Sequence, residues 1–76
     1  MPNEITEIIY IALLDEGVDV WRPVDAIPIG KGTYKIKSEN SNPDDEQWQF
    51  VTGDTVYCEE KQFQNGKKGL VAVKKV

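Results

Sequence analysis

The stretch Leu13 to Val24, LLDEGVDVWRPV, joins a turn signal at Asp15-Glu16-Gly17 to a run in which apolar and polar residues alternate. Alternation of period two places successive side chains on opposite faces of a strand. Val18, Val20, Val24 and Ala26 then share one face with Arg22, while Asp19, Trp21, Pro23 and Asp25 take the other. The valine face is the one expected to meet a core. Pro23 has no N–H to give to a ladder, so the strand should lie at an edge around that point. Trp21 and Arg22 are neighbours in sequence and should point apart, unless Pro23 coincides with a bulge that resets the phase.

Turn residues recur on both sides of this stretch, at Gly30-Lys31-Gly32, Asn40-Ser41-Asn42-Pro43, Thr52-Gly53-Asp54 and Asn65-Gly66. Short apolar-alternating runs separated by such punctuation read as an all-β barrel or sandwich. Before the first turn, Ile5, Ile8, Ile9, Ala12 and Leu13 fall on one helical face, but Ile5, Thr6, Ile8, Ile9 and Ile11 are β-branched and favour a strand. As a strand, residues 8–14 are apolar on both faces, which requires cover on each side. Tight curvature of a small barrel supplies that cover, and so does a second copy of the chain.

Downstream, Tyr34 and Ile36 alternate with Thr33, Lys35 and Lys37, and Ser38 to Glu46 reads as a polar loop. Trp48 shares its phase with Phe50, and Val56 with Cys58. Asn65-Gly66 is a strong hairpin signal leading into a last strand, Leu70 to Val76. Five to six strands in a meander of this length predict a small, SH3-like, partly open antiparallel barrel.

With 76 residues the chain is expected to form one domain, residues 1–76, because a chain this short buries only roughly 60% of its unfolded surface. The formal charge of −4 argues against a general nucleic-acid binder, which needs a basic face to displace counterions. The charge is uneven: up to Gly30 the acids Glu4, Glu7, Asp15, Glu16, Asp19 and Asp25 face a single base, Arg22, whereas Lys67, Lys68, Lys74 and Lys75 close the chain. Terminal lysines of this kind commonly guard a strand against edge pairing. No basic leader precedes the first apolar run, which is too short to span a bilayer, so a cytoplasmic protein with no membrane contact is expected.

Catalytic machinery is sparse. The absence of histidine removes the Ser-His-Asp and Cys-His arrangements, together with the usual structural zinc sites. No catalytic residue, metal site or cofactor is therefore expected. The sole cysteine, Cys58, shares the apolar phase of Val56 and reads as a small buried hydrophobe. The acidic loop Glu39 to Glu46 is rich in oxygen ligands but lacks the glycine and the spacing of a calcium loop, and reads as an Asx/proline turn. Gly30-Lys31-Gly32 lacks the frame of a phosphate loop and reads as a hairpin connection.

The aromatics remain. Trp48 reads as core, and Trp21 has two readings, a core residue or an exposed contact beside Asp19 and Asp25. Arg22 likewise is either an interface anchor for an anionic group or one half of an ion pair across the sheet. The combination LLDEGVDVWRPV, Gly32-x-Tyr34-x-Ile36, Trp48-x-Phe50-x-x-Gly53, Val56-x-Cys58-Glu59 and Leu70-Val71-Ala72 resembles a family of small standalone bacterial proteins of uncharacterised role. That resemblance spans Ile9 to about Val73; it implies a bacterial cytoplasmic origin and carries no activity or ligand.

The sequence thus points to a non-enzymatic module that binds a protein or peptide partner, with Trp21, Arg22, Asp19 and Asp25 as candidate partner-binding residues. The alternative is a self-associating protein, a homodimer formed through the 8–14 strand. Nucleic-acid contact through the closing lysines is a minor third reading.

Overall fold

In a computed structural model the chain is all-β, and the structure describes residues 5–14, 20–40, 44–63 and 66–76. Six strands follow one another: β1 (Glu7–Leu14), β2 (Trp21–Gly30), β3 (Thr33–Ile36), β4 (Gln47–Trp48), β5 (Thr55–Gln62) and β6 (Lys68–Lys75). The β-branched first segment is a strand, as its residue types favour, and no helix long and apolar enough to cross a membrane occurs among the described residues.

Antiparallel pairs link β1 to β2, β2 to β3, β3 to β5 and β5 to β6, and β6 returns to β1. The last pair is parallel, which the expectation of an antiparallel barrel did not include. Its reason is parity: five strands that alternate in direction bring the first and the fifth to the seam running the same way. The seam is short, joining Ile9 to Leu70 and Tyr10 to Val71. Beyond it β4 adds to the end of β1, pairing Leu13 with Trp48 and Leu14 with Gln47. The result is a ring of sheet with one narrow closure, a small and partly open β-barrel.

Alternation fills the ring. Ile9 and Ile11 from β1, Val24 and Ala26 from β2, Ile36 from β3, Trp48 and Phe50, Val56 and Cys58 from β5, and Ala72 from β6 form one buried cluster, with Leu13, Tyr34 and Leu70 packed against it. Trp48 is buried although its strand is only two residues long, and Phe50, just beyond that strand, is buried with it. Arg22 departs from the valine face of β2: it shares that phase but stays exposed at the rim, beyond the last core residue, Val24.

The turns behave as their residues dictate. Gly32 adopts φ +77° in the hairpin between β2 and β3, and Gly53 adopts φ +91° before β5, a left-handed region that favours glycine. Gly66 does the same ahead of β6, while its neighbour Asn65 and the Asp15-Glu16-Gly17 turn lie outside the described residues.

Candidate functional site

The register of β1 on β2 runs without a break from Glu7 against Ala26 to Ala12 against Trp21, so Pro23 marks no bulge. Trp21 and Arg22 accordingly diverge. Leu13 N–H donates to the Val20 carbonyl at 2.9 Å, which makes that pair, and every second pair along the register, the hydrogen-bonded one. Trp21, Pro23 and Asp25 therefore turn their main-chain groups away from β1. Pro23 sits where its missing N–H costs the β1–β2 ladder nothing.

On that flank β3 pairs β2 only from Ala26 to Gly30, so no described strand lies alongside residues 21–25. Asp25 is served by the loop instead: its N–H donates to Ser38 Oγ at 2.8 Å, and its carbonyl accepts from the N–H groups of Lys37 at 2.9 Å and Ser38 at 3.3 Å. The edge expected from Pro23 is thus real. Between the open part of β2 and the loop lies a depression of about 210 Å³, lined by Arg22, Pro23, Val24, Ser38, Glu39, Asn40, Glu46 and Trp48.

Glu46 organises this side. Its carboxylate accepts from Arg22 Nε at 3.0 Å and from Arg22 Nη2 in a two-pronged pair, and its Oε1 also accepts from the Trp48 indole N–H at 3.0 Å. Asn40 Nδ2 donates to the Glu46 carbonyl at 2.8 Å, tying the two ends of the loop together. The Arg22 and Trp48 bonds hold the Glu46 carboxyl below its ordinary value. Arg22 is therefore one half of an ion pair across the sheet and does not present an empty guanidinium to an anion.

Trp21 occupies the opposite, outer face and is half-buried. Phe63 lies between it and Tyr10, with ring centroids 6.3 Å and 4.9 Å away, both edge-on. Lys61 Nζ stands 5.8 Å from the Trp21 ring centroid. Gly69 makes room for this stack: a Cβ there would fall 2.7 Å from Tyr10 Cε1 and 2.9 Å from Phe63 Cε2. Phe63 thereby gives the outer face of β1 part of the cover that a two-sided apolar strand requires.

The three candidate residues that the structure describes do not form one surface. Arg22 faces the loop, Trp21 faces Phe63, Asp25 is exposed opposite Ile8 of β1, and Asp19 lies outside the described residues. Glu46, Glu39 and Ser38, missing from the candidate set, line the depression, and Phe63 completes the outer stack. Trp48 carried the one signal that could have found Glu46, because a buried indole N–H requires an acceptor.

The remaining side chains have structural surroundings. Cys58 is buried, and burial pushes its thiol up to about 11, which keeps it protonated at neutral pH. Tyr34 is raised by burial and by its bond to Glu7, whereas Asp54 is lowered by the Val51 N–H and by Lys75, whose Nζ lies 3.3 Å away. Among the described residues no three metal-ligating side chains converge, and Ser41, Asn42 and Pro43 of the acidic loop lie outside them. The closing lysines are divided between the two ends of β6, with Lys67 and Lys68 at its start and Lys74, over the Tyr57 ring, and Lys75 at its finish. The chain matches no protein-family model, no curated protein and no solved structure.

Proposed function

We propose that the protein is a non-enzymatic binding module, an SH3-like barrel of the bacterial cytoplasm, that engages an extended segment of a protein or peptide along the open flank of β2. The observation that carries this reading is the coincidence of an unpaired strand flank with a depression. Trp21 and Pro23 direct main-chain groups to the side where no described strand pairs, and the depression opens beside them. Strand flanks of this kind accept peptides through main-chain hydrogen bonds, while adjoining pockets read side chains. Ser38, Glu39, Asn40 and Glu46 form the opposite wall, and Glu46 is held there by Arg22.

Selective labelling tests the site, because the buried thiol of Cys58 leaves an introduced cysteine as the reactive one. Peptides selected from a random library for binding to the wild-type chain should lose binding when Glu39→Cys carries a bulky maleimide. The same adduct on Tyr57→Cys should leave binding unchanged. Unimpaired binding to the chain blocked at position 39 contradicts the reading.

One observation favours a second reading, self-association. Ile8 is 51% exposed and Ile5 75% exposed at the start of β1, beyond the reach of the Phe63 cover. A C2 pair of β1 strands would bury both. Sedimentation at micromolar concentration separates the two readings, since a strict monomer removes the second.

A further inference from the structure

We propose that the depression beside β2 seats the basic side chain of an extended peptide, with Glu39 as its counter-charge; this rests on the reading of the β2 flank as the binding edge. Size is the first argument. At about 210 Å³ the depression falls short of the roughly 300–1,000 Å³ typical of small-molecule sites, and suits one long side chain better than a cofactor.

Charge is the second. The ionisable residues of the lining are Arg22, Glu39 and Glu46. Arg22 and Glu46 neutralise each other through their two-pronged pair, and the Trp48 indole further occupies the Glu46 carboxylate. Glu39 is exposed and makes no ion pair among the described residues, so the lining has a net charge of −1 located at one wall. The whole chain, at −4, reinforces attraction of a cation. An acidic side chain would meet Glu39 and find the guanidinium already engaged.

Hydrogen-bond chemistry is the third argument. Pro23 offers the flank only its carbonyl and Glu39 adds a carboxylate, two acceptors beside the single main-chain N–H of Trp21. Guanidinium and ammonium groups bring donors only. An extended segment supplies a main-chain N–H to Pro23 and places a neighbouring arginine or lysine against Glu39.

Three blocked five-residue peptides, identical except for a central arginine, glutamine or glutamate, test this by amide and indole NMR on the wild-type chain. The arginine peptide should move Val24, Ser38, Glu39 and the Trp48 indole, bind tightest of the three, and weaken with added salt. Glu39→Gln should reduce its affinity about two- to fivefold and flatten the salt dependence, as expected for an exposed charge pair. Equal or tighter binding of the glutamate peptide at these same residues overturns the basic-ligand assignment while leaving the flank as the site. An arginine-peptide affinity indifferent to Glu39→Gln overturns it too. If none of the peptides moves these residues, or shifts appear only at Tyr10 and Phe63, the flank itself is not the site.

Discussion

Trp21 and Trp48 are the two tryptophans of a 76-residue chain, and they are held in opposite ways. Trp48 reaches the core from a two-residue strand and hands its indole N–H to Glu46, whose carboxylate is shared with Arg22. Trp21 stays on the outer face, half-buried by Phe63 and approached by Lys61, with Gly69 leaving space beneath the stack. The difference shows what each side is for. The Glu46 side is a polar brace that fixes a loop against an open strand flank, whereas the Phe63 side is a second, external layer of packing that covers β1. Trp21 read either as a core residue or as an exposed contact beside acids, and the fold leaves it half-buried against Phe63, while the flank proposed for binding runs along the same strand.

The largest test of this contrast is Trp48→Ala. Removing a buried aromatic should cost about 3–5 kcal/mol in urea unfolding, enough to threaten folding of so small a domain. Trp21→Ala, by contrast, removes only a half-buried ring and should cost about 1–2 kcal/mol with the fold retained. A loss at Trp21 equal to that at Trp48 would place both rings in the core.

Gly69→Ala comes next. Its new Cβ meets two rings at under 3.0 Å and should destabilise by about 1–3 kcal/mol. Shortening one ring should relieve it, so Gly69→Ala combined with Phe63→Leu should cost less than the sum of the two changes. Strict additivity would mean that Phe63 does not lie over Gly69. A smaller effect is the coupling of Trp21 with Phe63, expected at about 0.5–1.5 kcal/mol in a double-mutant cycle.

Much of this arrangement was legible in the chain. The alternation of Val24 and Ala26 with Trp21, Pro23 and Asp25 gave the faces of β2, and the β-branched residues of 5–11 gave β1 against its helical periodicity. Pro23 correctly marked the open flank, because a missing N–H is tolerated only where no partner strand needs it. The parallel closure of β6 on β1 was not legible, since it follows from how many strands join the ring, and the two-residue β4 left that number open. Nor was Glu46, which looked like the last acid of a solvated loop until the fold brought Arg22 to it from 24 positions upstream. Phe63 stands just before the Asn65-Gly66 signal, where local pattern reads a turn; its stacking on Tyr10 and Trp21 depends on long-range pairing and on an empty position at Gly69.

Arg22→Gln should have the smallest effect on stability. Its side chain is 44% exposed, so removing the pair should shift the urea midpoint only slightly and leave Trp48 in place. The Glu46 carboxyl should nonetheless move back up toward its ordinary value once the guanidinium is gone.

That carboxyl supplies the most direct test of the central claim that β2 divides Trp21 and Arg22 between two independent faces. Because Glu46 is lowered in the folded state, the stabilisation it provides is present above the ordinary carboxyl value of 4.5 and is lost as the pH falls through the lowered one. Followed by NMR from pH 7 downward, the Trp48 indole N–H should shift with a midpoint below 4.5, and that midpoint should rise in Arg22→Gln. The Trp21 indole should not follow it. A Trp48 indole indifferent to pH, or a Trp21 indole that titrates with Glu46, would contradict the account.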